Sequence, residues 1–486
     1  MNFTGPLIKS GYIPQKDRKK ILFLCDDIRM TSGISTIARE LVVGTSHVYN
    51  WVNVGGAINH PDNGKRLDIS QDTNQILGIN DSSVFIYPIN GYGSPEIIRQ
   101  LMTIEKPDAI MFFTDPRYWI WLFQMENEIR KKIPMIYLNI WDDLPAPLYN
   151  KSYYESCDTL LAISKQTENI NKMVLGDKAK NKIIKYLPHG INESIFFPIS
   201  EYMDEYQKLL ELKKKLFGDD QPEFVVFYNA RNIRRKCTSD LIAAYANFCE
   251  SIGKEKAKKC RLLLHSDPID ENGTDLPAVI DLLCDPEYQK VSFSLGRTSS
   301  QDVNLMYNMC DVTALISSNE GWGLSLTEAM MCGKMIIANT TGGMQDQMRF
   351  EDEDGNWIKF DENFPSNHFG KYKKCGEWAI PVFPTNMSMV GSIPTPYIWD
   401  DKADFRDISK AILEVYEMPY DERVKRGLSG RNWVQSDESN MSARKMCETF
   451  VSTIDQTLEN FEKRSSFELI KTEKLPRKKL THPLIY

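Results

Sequence analysis

Apolar residues come in short, bounded blocks along this chain, and between the blocks they recur at helical spacing. The first block is Ile21-Leu22-Phe23-Leu24; beyond Asp26-Asp27 and Ser32-Gly33, the residues Ile34, Ile37, Ala38, Leu41 and Val42 share one helical face. This predicts strand, glycine turn, helix. Blocks of the same kind recur at 84–87, 109–113, 135–140 and 160–163, with room for a helix between each pair. Such alternation predicts a parallel sheet covered on both faces, hence a doubly wound α/β domain over residues 1–195.

After Pro198 a charged helical stretch, 201–217, precedes a restart of the rhythm at Phe224-Val225-Val226-Phe227-Tyr228. The blocks continue at 261–264, 291–293, 312–316 and 335–338, which predicts a second parallel-sheet domain over 196–415. Residues 352–401 break the pattern with many Gly, Pro, Asn and aromatic residues and read as an insertion. Residues 416–486 read as terminal helices and a basic tail, since 463–479 holds seven basic and two acidic residues.

Composition narrows this further. With 486 residues, 42% of them hydrophobic and 26% charged, the chain is an ordinary globular, multi-domain one. Lys+Arg 59 against Asp+Glu 66 leaves a net charge of −7, so no general attraction to nucleic acid or an anionic membrane is implied. Ten scattered cysteines without a C-x-x-C pair point to free thiols in a reducing compartment, the cytoplasm. No run reaches the length of a membrane span, and the first twenty residues lack the apolar core of a signal peptide.

Two such domains in tandem place a ligand in the cleft between them, at the carboxyl ends of the strands. One segment suits that wall: Ser318-Asn319-Glu320-Gly321-Trp322-Gly323-Leu324-Ser325-Leu326-Thr327-Glu328-Ala329-Met330. Two carboxylates flank a glycine turn that opens a helix. Backbone amides of Gly323, Leu324 and Ser325 can hold a diphosphate while Glu320 and Glu328 accept hydroxyl protons, an arrangement suited to a nucleotide-sugar.

The segment resembles the E-x7-E signature of retaining GT-B glycosyltransferases, the class of the glycogen synthases and many mannosyltransferases. Three further segments carry the same resemblance. In Tyr228-Asn229-Ala230-Arg231-Asn232-Ile233-Arg234-Arg235-Lys236, Arg231 and Lys236 stand as in the class's Gly-Arg-x4-Lys motif, with Ala230 at the glycine position. Pro188-His189-Gly190-Ile191-Asn192 is similar to the interdomain hinge, Gly333-Lys334-Met335 to the class's Gly-x-Pro segment without its proline, and Thr341-Gly342-Gly343 to the sugar-contacting glycines that follow. Ser32-Gly33 looks like a shortened N-terminal glycine pair facing the diphosphate. The resemblance implies two Rossmann-like domains facing an interdomain cleft and a metal-independent, retaining hexosyl- or pentosyltransferase without a resident cofactor, using a nucleotide-sugar, UDP-linked by expectation. It implies catalytic roles for Arg231, Lys236 and Glu320, and donor contacts from Gly33, Gly323, Leu324, Ser325, Glu328 and Gly343.

One position departs from the class. Thr114, in Phe113-Thr114-Asp115-Pro116-Arg117, stands where many relatives carry a histidine that touches the transferred sugar. Asp115, Arg117, Asp142 and His189 are candidates for that wall, each with a structural alternative as a cap, surface pair or satisfied core residue. The pairs Asp26-Asp27, Asp142-Asp143 and Asp400-Asp401 lack the Asp-x-Asp spacing of metal-dependent transferases and read as surface or cap residues. For the acceptor, stretches such as Asp26 to Gly33 and Leu138 to Pro147 resemble glycosyltransferases of large tailed bacteriophages. That resemblance implies hydroxymethylated cytosine in double-stranded phage DNA, with Lys371, Lys373, Lys374 and the basic tail as contacts. A polysaccharide, lipid or small-molecule acceptor, and a non-catalytic nucleotide-sugar binder, are the alternatives.

Overall fold

The computed structural model describes residues 11–56, 61–296 and 298–465. The strands are β1 (Lys19–Asp26), β2 (Tyr49–Gly56), β3 (Leu67–Asp68), β4 (Val84–Pro88), β5 (Ala109–Phe113), β6 (Met135–Asn139), β7 (Thr159–Ala162) and β8 (Ile183–Tyr186) in the first half. They form one sheet in the order β3-β4-β2-β1-β5-β6-β7-β8, parallel except for β3. In the second half, β9 (Phe224–Asn229), β10 (Cys260–His265), β11 (Val291–Phe293), β12 (Val312–Leu315), β13 (Met335–Asn339) and β14 (Ala379–Val382) form a parallel sheet ordered β11-β10-β9-β12-β13-β14. A separate antiparallel hairpin follows, β15 (Asn386–Ser392) and β16 (Thr395–Lys402). The architecture is GT-B: two doubly wound sheets whose strand ends face a common cleft.

The uniformly apolar blocks became the sheet centres. Residues 21–25 of β1 and 109–113 of β5 are fully buried, as strands covered by helices on both faces must be. Where the pattern is weaker, the reasons are local. β2 carries Asn50 and Asn53 and ends in two glycines, so it lacks an apolar run. Asn53 is nonetheless fully buried, because its side-chain amide donates to the Phe23 carbonyl at 3.1 Å and its oxygen accepts from the Ile28 amide at 3.4 Å. β14 lies inside the stretch that reads as an insertion, yet it is the outermost strand of the second sheet, where Pro381 costs no ladder bond on the free side. Ser32, Ser94 and Ser164 each cap the helix that follows a first-domain strand, a contribution of about 1 kcal/mol apiece.

The chain ends by returning to its beginning. The helix Tyr420–Val434 packs on the second domain, against Leu324–Met331. The helix Ala443–Asn460 packs instead on the first domain, against Gly33–Thr45. Tyr49 donates to Asp455 at 2.7 Å, and the Thr159 and Thr457 hydroxyls meet at 2.7 Å. The basic tail beyond residue 465 lies outside the described residues. All ten cysteines are unpaired thiols. Among the described residues no helix is long and apolar enough to cross a membrane.

Candidate functional site

Strand β12 runs out into the loop that carries Glu320, and the helix Leu324–Met331 leaves from its far side. Gly323 has φ +86°, and no side chain caps the helix start. The amides there remain available to an anion. The loop is pinned from behind by the glycine pair after β13. The Gly343 amide donates to the Glu320 carbonyl at 2.9 Å, and a Cβ on Gly343 would fall 2.0 Å from the Gly321 carbonyl oxygen. Only glycine permits that approach.

Glu320 is the charged centre of this wall. Its side chain is buried, and one carboxylate oxygen accepts from Arg235 at 3.0 Å, from the Lys236 ammonium and from the Ser317 hydroxyl at 3.2 Å. Burial opposes ionisation, but Arg235 and Lys236 together hold the carboxyl down to about 2. Burial pulls Lys236 below the ordinary lysine range while Glu320 pulls it back up. Glu328, about one turn into the helix, accepts from the Tyr307 hydroxyl at 2.6 Å and from Asn229 at 3.5 Å. Burial pushes it up to about 7.

The first domain supplies the opposite wall. A Cβ on Gly33, at the start of the helix Gly33–Thr45, would lie 3.1 Å from a methyl of Leu324. Gly321 faces the Ile140 carbonyl, the Ile163 side chain and the Asp142 carboxylate. His189, at the hinge, sits between Phe113 and Trp322, with ring centroids at 5.8 and 6.2 Å. Burial depresses it to about 3, so it is a neutral imidazole, and its Nδ1 has no partner. Asp142 and Asp143 are both pushed up by burial, and each is further influenced by Arg235 across the cleft.

Sequence-expected residues fall into two groups. Lys236, Glu320, Glu328, Gly33, Gly323, Leu324, Ser325, Gly343, Asp142 and His189 gather about the cleft. Arg231 does not join Glu320: its guanidinium pairs with Asp270 at 2.8 Å and is 61% exposed. Arg235 occupies the place beside Glu320 instead, because the 3-10 turn Arg234–Lys236 points residues 235 and 236 into the cleft. Asp115 and Arg117 form a local bidentate pair that also caps the Arg117 amide. Thr114, at the class-histidine position, is buried with φ +121°, a strained geometry for a β-branched residue, costing about 1–3 kcal/mol.

Of the paired aspartates expected at the surface, Asp26, Asp27 and Asp401 are buried and Asp142, Asp143 and Asp400 half-buried. Asp26 is buried and accepts from Ser32 at 2.5 Å and from Tyr92 at 2.9 Å, while Asp27 is fully buried and paired with Arg29. Asp401 is buried and accepts from Thr341 at 2.6 Å and Asn367 at 2.7 Å. Asp400 accepts from Asn319 at 2.7 Å. The β15–β16 hairpin thereby bridges the cleft: the Asp401 amide donates to Ser318 of the second domain, and the Trp399 amide to Leu144 of the first, at 2.9 and 2.8 Å. Sequence reading missed the hairpin and also Tyr307, Asn229 and Arg235. Arg235 stood within the Arg-Arg-Lys run, but only the turn distinguishes which cation faces the cleft.

Comparison with known proteins agrees with this architecture. Residues 211–364 match the family model "Glycosyl transferases group 1". Over 189 residues the chain is 29% identical to alpha-monoglucosyldiacylglycerol synthase of Acholeplasma laidlawii, covering 39% of this chain and 43% of the relative. Over 200 residues it is 24% identical to N-acetyl-alpha-D-glucosaminyl L-malate synthase of Bacillus anthracis, covering 41% and 45%. The chain thus spans less than half the length of these two relatives. In fold, it is similar to Anabaena HepE in complex with UDP-glucose, at TM-score 0.61 and 14% identity over 90% of this chain and 99% of that one. Sucrose-phosphate synthase of Thermosynechococcus elongatus gives TM-score 0.62 and 15% identity over 91% and 100%. Fold and family match together support the class, GT-B glycosyltransferases. Within that class, it is group 1 that the match to 211–364 supports.

Proposed function

We propose that the protein is a retaining, metal-independent glycosyltransferase that moves a sugar from a UDP-linked donor to an acceptor hydroxyl. The observation that carries this reading is the ion cluster of Lys236, Arg235 and Glu320 beside an uncapped helix start, with Glu328 half-buried farther along that helix. The nucleotide-sugar is a substrate, and no resident cofactor is invoked.

In this reading the donor diphosphate lies against the amides of Gly323 and Leu324. Lys236 turns from Glu320 to the phosphate as negative charge builds on the leaving group, and Arg231 swings in from Asp270 to assist it. Glu320 and the Gly343 turn orient the sugar hydroxyls, the Ser325 amide adds to the donor-facing helix start, and Glu328 accepts ribose hydroxyl protons. The acceptor hydroxyl attacks from the face the diphosphate leaves, and the phosphate oxygen takes its proton. No protein nucleophile takes part.

The acceptor enters between Asp142, Asp143 and Asp400, which favours a molecule presenting neutral hydroxyls. Hydroxymethylated cytosine in DNA is the second reading, favoured by the exposure of Lys371, Lys373 and Lys374. The unpaired thiols support a cytoplasmic setting. The test is incubation with a panel of nucleotide-sugars and acceptors (methyl glycosides, diacylglycerol, plain and hydroxymethylated duplex DNA), followed by mass spectrometry. A glycosylated product with retained anomeric configuration supports the reading. UDP affinity without turnover on any donor contradicts it.

A further inference from the structure

Glu320 has two cationic partners, Lys236 and Arg235. In the transferase reading Lys236 is the group the leaving diphosphate draws away from its pair with Glu320, which is itself buried. A buried carboxylate stripped of its cation takes up a proton or reorients, and either change ends its service as an acceptor for sugar hydroxyls. Arg235 supplies the remaining charge. Its guanidinium donates at once to Glu320 and, at 2.9 Å, to the Asn319 carbonyl, so it is held on the loop itself. Its own backbone carbonyl accepts from the Ser318 amide at 2.8 Å, which fixes the Arg235 main chain to the same loop.

We propose that Arg235 is a positioning residue that keeps Glu320 ionised and aimed at the donor sugar after Lys236 has moved to the diphosphate. The proposal rests on the transferase reading of this cleft and deepens it. Two fixed anchors make Arg235 poorly placed to follow the phosphate, whereas the Lys236 ammonium donates to Glu320 alone among the described residues. Both bonds leave one guanidinium nitrogen of Arg235, whose planar N–H pair holds the two acceptors in fixed directions, which a freely rotating ammonium does less well. The other groups facing Glu320 cannot replace it. The Ser317 hydroxyl is uncharged, His189 is neutral, Tyr228 is a buried phenol, and Asp142 across the cleft adds negative charge.

The test compares wild type with Arg235→Gln and Arg235→Lys, each checked for an unchanged melting temperature. UDP-glucose turnover is followed by UDP release across the acid range, and UDP binding is measured by calorimetry in two buffers of different ionisation enthalpy. Arg235→Gln is expected to leave UDP affinity within about twofold while lowering kcat at least about tenfold and moving the acid limb of kcat up by about one pH unit or more. It is also expected to take up more protons than wild type on binding UDP below neutrality, as Glu320 protonates. Arg235→Lys should restore part of kcat and return the acid limb toward wild type. An unmoved acid limb together with unchanged proton uptake would overturn the proposal. So would a loss of UDP affinity as large as that of Lys236→Ala, which makes Arg235 a phosphate ligand. If wild type itself neither binds UDP nor releases it from UDP-glucose, the transferase reading fails first, and that outcome is distinct from either of these.

Discussion

Gly33 and Leu324 stand at the starts of two helices from different domains, so close that a Cβ on the first would lie 3.1 Å from a methyl of the second. In the proposed reading this contact sets the distance across which the donor is gripped from both sides. Gly33→Ala meets only the flexible end of Leu324 and should be tolerated. Gly33→Val adds branched methyls and should prop the walls apart. We expect turnover to fall on the order of a hundredfold, as for other small misplacements of reacting groups, while the melting temperature holds. Steady-state kinetics and calorimetric scanning check both.

Glu320→Gln removes the charge that Arg235 and Lys236 compensate but keeps the side chain's shape. The expected loss is about a hundredfold to a thousandfold in kcat, measured as UDP release. Stability should change with pH as well. The folded carboxyl is held at about 2, below its ordinary range, so its contribution is complete above the unfolded value and is lost as pH falls toward the folded one. Wild type should therefore lose more stability than Glu320→Gln in acid, as read by thermal unfolding at successive pH values.

Glu328 behaves oppositely. Burial raises it to about 7, so near neutrality it is partly protonated; in the proposed reading the ionised form is the one that accepts two ribose hydroxyls. UDP affinity should strengthen from about pH 6 to about pH 8, with proton release on binding, and Glu328→Gln should weaken and flatten that dependence. Calorimetric titration with UDP over this range measures it.

Arg231 pairs with Asp270 at the rim, with its guanidinium 61% exposed. An exposed pair of this kind is weakened by solvent, so Asp270→Asn should tighten UDP binding by no more than about fivefold. Arg231→Ala should weaken it if the arginine swings to the diphosphate. Unchanged UDP affinity in Arg231→Ala leaves the leaving-group cations as Lys236 alone.

Much of the fold was legible because burial on both faces of a parallel sheet leaves uninterrupted apolar runs, as at 21–24, 109–113 and 335–338. The strands that were not legible have particular causes. β2 hides behind asparagines that are satisfied only by the tertiary neighbours Phe23 and Ile28, and β14 behind a proline that its edge position permits. The exposed hairpin β15–β16 carries no sustained apolar alternation, and its bonds to Leu144 and Ser318 join residues far apart in the chain.

For the site, spacing along the chain determined that Glu320 and Glu328 flank one helix start and that cations follow β9, since both are local facts of a loop and a turn. Which cation reaches Glu320 was decided by the backbone of 234–236 and by the counter-charge of Asp270, a residue remote in sequence. The opposing wall, with Gly33, His189 and Asp142 brought up to the Glu320 loop, exists only after two sheets have packed face to face. Sequence sets what each segment is able to offer. Packing sets the distances at which charges meet, and with them the protonation and aim on which chemistry depends.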